Sequence, residues 1–290
     1  MEEKIVIFGG SGFVGSALEK YFARRNCKVV VPTRSDKSSP YYWDGESVLS
    51  GEILDGALAA INLAGENIFC RWTQKKKLAI LSSRVRATKL IAQSICRMEN
   101  PPRVFINASA VGYYGANPNL VCCEMSKRGG GFLAGVCAKN ERAARLARRK
   151  TRVVNLRHGA VVGKDGGMAK KLSPLFKMFL GAKISCGKNY VPWISIRDLA
   201  RLYDFIIQNE KLKSAVNAVS PFIATNADIA EALAKSLHRP RFLRIPKFLI
   251  RLAFGQMADE LILSSQIVLP QKLADCRFDF RDKTILDALK

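Results

Sequence analysis

The residues best suited to chemistry form a glycine-rich run directly after the apolar segment at residues 5–8: Gly9-Gly10-Ser11-Gly12-Phe13-Val14-Gly15. Gly10 allows a tight turn, Gly12 lets a diphosphate approach the backbone, and Gly15 lets the following helix pack on the sheet. A helix that begins here offers free N–H groups and a partial positive charge to phosphates. Strand, spacing and helix together predict a dinucleotide site, and a glycine-rich turn without a ligand is the alternative.

The end of the second predicted strand, at residues 29–31, indicates which dinucleotide fits. An NAD site places Asp or Glu about 20 residues beyond the glycine motif, where the carboxylate binds the ribose hydroxyls. Here the strand is followed by Thr33, Arg34 and Ser35, and the first acid is Asp36. A guanidinium binds a 2′-phosphate through paired hydrogen bonds, whereas a carboxylate repels it. The sequence therefore predicts NADP rather than NAD, and Arg34 as an ordinary surface arginine is the alternative.

Hydroxyl groups that could transfer a proton follow the strand predicted at residues 104–106. They belong to Ser109, Tyr113 and Tyr114. Glycine-rich dinucleotide-binding proteins of this length are often short-chain dehydrogenases/reductases, which combine Ser with Tyr-x-x-x-Lys, the Lys lowering the pKa of the phenol. None of the tyrosines here has Lys four residues later. We predict Ser109 and Tyr113 as the catalytic pair; alternatively, Ser109 binds the nicotinamide amide and the tyrosines line the pocket.

The chain resembles the atypical, epimerase-like branch of that superfamily, a family of NADP-dependent nucleotide-sugar epimerases or reductases. The matching runs span nearly the whole chain in order: GGSGFVG (9–15), INLAGENI (61–68), RWT (71–73), SSR (82–84), ASAVGYYG (108–115), FLAGVC (132–137), PWISIRDL (192–199) and LPQKLADCRFDF (269–280). The resemblance implies NADP contacts at Thr33-Arg34, Leu63-Ala64, Arg84 and Val161. With the glycine turn and Gly65, the expected cofactor contacts are Gly9, Ser11, Gly12, Phe13, Val14, Gly15, Thr33, Arg34, Leu63, Ala64, Gly65, Arg84 and Val161.

Some positions depart from the family pattern. Anchored on Glu141, the superfamily's Tyr and Lys positions fall on Leu133 and Cys137. Asn140 stands where the family often has Trp, and Ser195 stands where it has His. A glycine of the C-terminal run is also replaced. These departures concern the substrate pocket more than the cofactor site.

Strand-like and helix-like segments alternate along most of the chain. Further apolar runs lie at 58–63 and 153–156, and helical patterns lie at 13–25, 73–97 and 132–148. Repeated βα units predict an α/β fold with a doubly wound parallel Rossmann sheet. We expect an NADP-binding domain over residues 1–224, with a substrate-side excursion at about 164–192. Residues 225–290, interrupted by prolines, are expected to form a smaller, mostly helical substrate lobe.

The charge of the chain is strongly positive. Its 290 residues include 47 Lys and Arg against 24 Asp and Glu, a net charge of +23, and residues 121–200 alone contain 17 of the bases and four of the acids. No recognition helix or RNA-binding motif accompanies this charge. We expect a basic rim that attracts an anionic cofactor and a small anionic substrate. We expect neither nucleic acid nor membrane as a partner, and a monomer or homodimer.

The termini, cysteines and histidines bear on location and metals. The start Met1-Glu2-Glu3 lacks the basic residues and the roughly 7–15 apolar residues of a secretory signal. The eight cysteines show no Cys-x-x-Cys spacing, which favours reduced thiols in the cytoplasm. His158 and His238 have no neighbours at ligand spacing, so no metal site is predicted.

A basic segment near the C-terminus allows two interpretations. Its charges and apolar residues alternate as Arg241, Leu243, Arg244, Lys247, Phe248, Leu249, Arg251 and Leu252. A helix lying on a membrane surface is one interpretation. The interruption by Pro246 and the match to the family's C-terminal lobe favour packing against the protein core.

Two functions fit these features best. The first is an NADP(H)-binding oxidoreductase or epimerase that acts on a small, anionic or nucleotide-linked substrate. The second is a catalytically silent NADP-binding redox sensor or assembly protein, which the missing Tyr-Lys pair favours. A nucleic-acid binder rests on the charge alone.

Overall fold

The computed structural model describes residues 3–49, 51–116, 121–178, 181–240 and 243–290. The strands are β1 (Lys4–Phe8), β2 (Lys28–Val30), β3 (Ala57–Asn62), β4 (Val104–Ala110), β5 (Val121–Cys122), β6 (Arg152–His158), β7 (Ala160–Gly163), β8 (Ala182–Ile184), β9 (Trp193–Ser195), β10 (Ser214–Ala218), β11 (Leu243–Ile245) and β12 (Ile267–Val268). The helices are α1 (Phe13–Ala23), α2 (Gly51–Leu54), α3 (Gln74–Arg97), α4 (Phe132–Ala144), α5 (Gly167–Lys177), α6 (Ile196–Gln208), α7 (Asn226–Leu237), α8 (Lys247–Phe254), α9 (Gln271–Asp275) and α10 (Ile285–Ala288).

A six-stranded parallel sheet forms the centre of the molecule, in the order β10-β6-β4-β3-β1-β2. The chain runs outward from β1 to β2 and then returns to build the other half from β3. The strand order therefore reverses between β1 and β3, and the crevice at the carboxyl ends of such strands is where doubly wound folds bind ligands. The predicted α/β fold with a doubly wound parallel sheet is confirmed.

Helices cover both faces of this sheet because each helix has an apolar side to bury. On one face, Leu18 and Phe22 of α1 pack with α6 against the apolar residues of β1, β3 and β6. On the other face, Ile91 and Ile95 of α3 pack against β1, β3 and β4. Thr73 fixes the start of α3, since its side chain accepts a hydrogen bond from the Lys76 N–H.

The remaining strands form three short parallel pairs outside the central sheet, β7 with β9, β5 with β12, and β8 with β11. α7 and α10 pack with β7 and α5 in a separate apolar cluster. α7 thus contacts α5, which lies in the predicted excursion, and the division of the chain at residue 224 stays a prediction. No helix among the described residues is long and apolar enough to cross a membrane.

The basic C-terminal segment differs from its expected packing. Within α8 only Ile250 is buried, whereas Phe248, Leu249 and Leu252 are exposed. Pro246 does not break the helix but precedes its first residue, a position that proline tolerates because its missing N–H has no helical partner. The expected core packing is therefore wrong for the outer face of α8.

Candidate functional site

The glycine-rich turn between β1 and α1 holds its shape through close backbone contacts. A Cβ atom on Gly9, which has φ +81°, would lie 2.9 Å from the Ala64 N atom, and one on Gly15 would lie 2.5 Å from the Gly10 Cα atom. Beside Gly12, by contrast, only the Gly9 carbonyl lies within 4 Å. Gly12 begins α1 without a side-chain cap, so the first N–H groups of the helix are left for another acceptor.

The segment after β3 forms the opposite wall of the turn. Leu63 and Ala64 approach the Gly9 backbone, and the Ala64 N–H donates to Asn62 Oδ1 over 3.1 Å. Gly65 lies against the Arg84 side chain, whose guanidinium donates to the carbonyl oxygens of Glu66 and Ile80. Arg84 therefore supports this wall from α3, and burial lowers the pKa of its guanidinium from the ordinary value.

Phe13 and Val161 both approach Gly167 on the far side of the turn. The Phe13 ring packs so closely on Gly163, Gly166 and Gly167 that a Cβ atom on any of these glycines would collide with it or come within 3.0 Å. Val161 lies in β7, and its carbonyl faces Gly167. Glycines at the end of β7 and in the turn that follows it thus allow this segment to cover the start of α1, a role that was not predicted from the sequence.

Thr33 and Arg34 lie just beyond β2. The Thr33 N–H donates to Tyr41 O, and its carbonyl accepts from the Trp43 N–H, so this loop folds back on itself. Arg34 is exposed. The carboxylates of the loop are engaged elsewhere, Asp36 with Ser38, Asp44 with Ser47, and Glu46 with Arg86. The exposed Arg34 and Lys37 therefore remain as the positive charges of the loop.

Ser109 belongs to a buried polar network at the end of β4. Its hydroxyl donates to Glu141 Oε1 over 2.7 Å. Arg157 binds the same carboxylate in bidentate fashion, Nε to Oε1 over 2.8 Å and Nη2 to Oε2 over 2.9 Å. Ser109 and Arg157 are register partners on β4 and β6, and Glu141 reaches both from α4. Burial alone would lower the pKa of Arg157, but hydrogen bonding and charge attraction to Glu141 raise it above the ordinary value.

The two tyrosines differ in their surroundings. Tyr114 is buried, accepts from Arg157 Nη1 over 2.9 Å and donates to Asn217 Oδ1 over 2.7 Å. Burial raises the pKa of its phenol to about 12. Tyr113 is half-buried, with its ring centroid 3.5 Å from Arg157 Cζ, and within the described part of the chain its hydroxyl makes no hydrogen bond. Tyr113 is therefore the phenol that remains available to a ligand, and the guanidinium fixes its ring.

The positions that carry Tyr and Lys in the wider superfamily lie next to this network. Leu133 contacts Gly112, and burial raises the pKa of the Cys137 thiol to about 11. Leu133 has no ionisable group, and the raised pKa keeps the Cys137 thiol neutral near pH 7, so neither side chain replaces the missing Tyr-Lys pair. The groups with a transferable proton or a basic oxygen that meet at this point are Ser109, Tyr113 and Glu141.

A ladder of asparagines underlies the site. Asn62, Asn107 and Asn155 are register partners on β3, β4 and β6. Asn62 Nδ2 donates to Asn107 Oδ1 over 3.0 Å, and Asn107 Nδ2 donates to Asn155 Oδ1 over 3.1 Å. Asn140 extends the ladder, since its Nδ2 donates to Ala108 O. Because buried amides must be paired, the ladder fixes the strand ends that carry Leu63 and Ser109.

The predicted site residues therefore lie at one edge of the sheet. Comparisons with known proteins now identify the family. The profile of the NAD-dependent epimerase/dehydratase family matches residues 5–218. The chain belongs to this family. A second profile, a domain of unknown function (DUF1731), matches residues 245–290.

Relatives of this epimerase-family chain match along their whole length. An epimerase family protein of Mycobacterium bovis is 36% identical over 98% of this chain and 96% of its own. The human epimerase family protein SDR39U1 is 32% identical over 99% of this chain and 98% of its own. The crystal structure of the human protein with NADPH has a TM-score of 0.90, at 31% identity over 99% and 98% of the two chains. The predicted family is confirmed.

Glu141, Arg157 and the glycines at 163–167 were not predicted as site residues. Arg157 carried a signal, because a charge at the end of an apolar strand is costly unless it is paired. Adjacent parallel strands would have placed it beside Ser109. The partner on α4 could not be found in this way, since strand register says nothing about a helix.

Proposed function

We propose that this epimerase-family protein binds NADP(H) in the crevice between β1 and β3. The support is the fit of the glycine turn: Gly12 leaves open space at the start of α1, while Gly9 and Gly15 permit backbone contacts that any Cβ would block. We expect further cofactor contacts from Ser11, Phe13, Val14, Thr33, Leu63, Ala64, Gly65 and Val161. Arg34 would bind the 2′-phosphate, and Arg84 would hold the wall and face the phosphates.

We infer further that the protein is an oxidoreductase or epimerase for a small, anionic or nucleotide-linked substrate. NADPH, when bound, would supply the hydride that reduces a substrate carbonyl, whereas in an epimerase bound NADP⁺ would take a hydride from one carbon and return it to the same carbon. Because a hydroxyl has a single hydrogen to donate, Ser109 would turn that hydrogen from Glu141 to the substrate oxygen, while Arg157 keeps the Glu141 carboxylate in place. Tyr113, whose hydroxyl has no described partner, would donate the proton that the reduced oxygen requires.

The alternative is a catalytically silent NADP-binding protein that acts as a redox sensor or assembly factor. The observation that favours it is the pair Leu133 and Cys137, neither of which can lower the pKa of a nearby phenol. For either function we infer action in the cytoplasm, which the eight cysteines without Cys-x-x-Cys spacing support.

Cofactor binding is tested by titrating the purified protein with NADPH and with NADH. We expect NADPH to bind more tightly, and Arg34→Ala to weaken NADPH by about 10-fold while NADH changes little, because a charge-assisted hydrogen bond contributes about 1.5–3 kcal/mol. Arg24→Ala, an exposed arginine on α1's C-cap, is the matched control. Equal affinities for the two cofactors would contradict the role of Arg34.

Catalysis is tested separately with the double variant Ser109→Ala, Tyr113→Phe. Against a panel of nucleotide sugars and small carbonyl compounds, we expect the wild type to oxidise NADPH or interconvert epimers. The double variant should lose about 100-fold or more of that rate while its NADPH affinity stays unchanged. A wild type that binds NADPH but turns over no compound would favour the silent alternative.

A further inference from the structure

One surface of the C-terminal region is more apolar than a solvent-exposed surface requires. Leu243, Phe248, Leu249 and Leu252 are all exposed, with Leu252 at 70% and Phe248 at 64%. In α8 the spacing places Phe248, Leu249 and Leu252 on one side of the helix and the buried Ile250 on the other. We call Phe248, Leu249 and Leu252 the α8 face. Single exposed apolar residues are ordinary, but a cluster of this kind marks a binding surface.

The charges around the α8 face have one sign. No Asp or Glu occurs between residues 239 and 258, a stretch that contains Arg244, Lys247 and Arg251. β11 pairs with β8, which puts Lys183 in register with Arg244. Asp259 forms an ion pair with Arg251, and this is the acid nearest in the chain. The basic rim of the α8 face is therefore formed by Arg244, Lys247 and Lys183, which adjoin the apolar residues in the chain or across the β8–β11 pair.

The α8 face is held firmly to the body of the protein. Phe254 packs on Phe69 with ring centroids 5.7 Å apart, and Arg71 donates to the Leu252 carbonyl over 3.3 Å. Ile250 is buried beneath the helix. The exposed side chains of the α8 face therefore lie on a helix that is packed against the protein. The residues that hold this helix, Phe69 and Arg71, belong to the segment that follows Leu63–Gly65.

The positive charges beside the α8 face distinguish between the two partners considered for it, a second copy of the chain and a lipid surface. In a symmetric dimer the same patch meets itself, so Arg244, Lys247 and Lys183 of one copy would face those of the other. Like charges brought together without intervening acids oppose that contact. An anionic lipid surface instead accepts Phe and Leu side chains into its interface and attracts the Lys and Arg rim.

We propose that the α8 face binds the surface of anionic membranes, so that the protein is a peripheral membrane protein. Phe248, Leu249 and Leu252 enter the headgroup region, and Arg244, Lys247 and Lys183 contact lipid phosphates. Arg71 and Phe69 then hold the segment beside the cofactor crevice close to the lipid. This replaces the expectation from sequence that no membrane takes part, and it does not depend on the proposed catalytic function.

Vesicle flotation tests the surface directly. The wild type should float with vesicles of phosphatidylcholine and phosphatidylserine and remain unbound with phosphatidylcholine alone. Phe248→Ser with Leu252→Ser should weaken binding on the order of 10-fold or more per side chain, the effect of removing a buried apolar group. Met125→Ser with Ile223→Ser, which removes two other exposed apolar side chains, is the matched control and should bind like the wild type.

A charge-matched pair separates the α8 face from the general positive charge. Arg244→Glu with Lys247→Glu should abolish most of the binding. Arg142→Glu with Arg149→Glu makes the same change of net charge on exposed positions of another surface and should retain most of it. If both pairs lose binding equally, the attraction comes from the whole molecule and the proposal is wrong.

Insertion is measured with Leu252→Trp and vesicles that carry brominated lipids. The native tryptophans Trp43, Trp72 and Trp193 are buried, so quenching should appear only in this variant and not in Met125→Trp. Unchanged NADPH affinity shows that each variant is folded. Absence of flotation by the folded wild type would overturn the proposal, as would α8 variants that alter only the mass of the protein in solution, which would indicate a protein interface.

Discussion

At the scale of single residues, the pair formed by Glu141 and Arg157 matters most for the site. Both charges are withdrawn from water, and such a pair adds little net stability because desolvation offsets the attraction. Its value lies in what it positions. Glu141 fixes the Ser109 hydroxyl, and Arg157 fixes the Tyr113 ring and the Tyr114 hydroxyl. A neutral, apolar replacement could fill the same volume but could not orient these three groups.

Neutralising Glu141 should destabilise the folded protein, because the buried Arg157 charge would lose its partner. In Glu141→Gln the Arg157 guanidinium loses its carboxylate in a site where it is 3% exposed. We expect the free energy of unfolding in urea to fall by about 3–5 kcal/mol, the usual cost of an unpaired buried charge. Glu99→Gln makes the same chemical change at an exposed position and should have little effect. Equal losses in the two variants would contradict this account.

His158 should make stability depend on pH. Burial lowers the pKa of its imidazole to about 4, whereas the unfolded chain has the ordinary value of about 6.5. As pH falls below about 6.5, the imidazole becomes protonated in the unfolded state but stays neutral in the folded state. The free energy of unfolding therefore falls. We expect a loss of about 1 kcal/mol between pH 7 and pH 5.5.

The chain contains one other histidine, His238, which is exposed, and it provides the control. Urea unfolding at the two pH values should show a smaller loss for His158→Gln and an unchanged loss for His238→Gln. A wild-type stability that does not vary over this interval would show that the imidazole is not held neutral.

At the scale of secondary-structure elements, the turn between β1 and α1 determines whether a cofactor can bind. Gly15 allows the first turn of α1 to lie directly against Gly10. This close packing directs the N-terminus of the helix toward the crevice. Glycine at position 15 lowers the intrinsic stability of the helix. A larger residue at the same position would push the first turn of α1 away from Gly10.

Gly15→Ala therefore should lower NADPH affinity by about 10-fold or more and also destabilise the protein, because displacing a helix start by even about 1 Å misplaces the N–H groups. Gly135→Ala lies inside α4 with no atom within 4 Å of the added Cβ. This control should stabilise the protein by about 0.5–1 kcal/mol. Isothermal titration and urea unfolding measure both effects. Unchanged affinity in Gly15→Ala would show that the turn adapts.

The sequence predicted the elements whose patterns are local. The apolar run at 5–8 became β1, and the helical pattern at 73–97 became α3 with its cap at Thr73. β5 and β12 have two residues each and exist only through pairing across the chain, so no local pattern marks them. The exposure of the outer face of α8 could not be predicted either. Apolar residues occupy most of the circumference of this helix, and the sequence does not say which of them are covered.

The same limit applies to the site. The glycine turn carries a backbone requirement that fixes residue types at fixed spacing, and it was found from sequence. The contact between Glu141 and Ser109 joins residues 32 positions apart and depends on how α4 lies on β4. Local spacing contains no information about that packing.

At the scale of the whole molecule, the net charge of +23 includes two separate local groups of basic residues. One is the basic rim of the α8 face. The other is the exposed lysines of the excursion after β7, among them Lys164, which directly follows the Gly163 that packs on Phe13. A positive field beside the start of α1 would add to the helix dipole and guide an anionic cofactor into the crevice.

Steering of this kind acts on the rate of association. Lys164→Glu should slow NADPH association several-fold at low ionic strength, and the difference from wild type should vanish in about 1 M salt, where the screening length is only about 3 Å. Arg149→Glu makes the same charge change at an exposed position shortly before β6 and should slow association less at low ionic strength. Stopped-flow fluorescence of NADPH gives these rates. If the two variants slow association equally, the net charge acts at long range, and the lysine beside the crevice has no special effect.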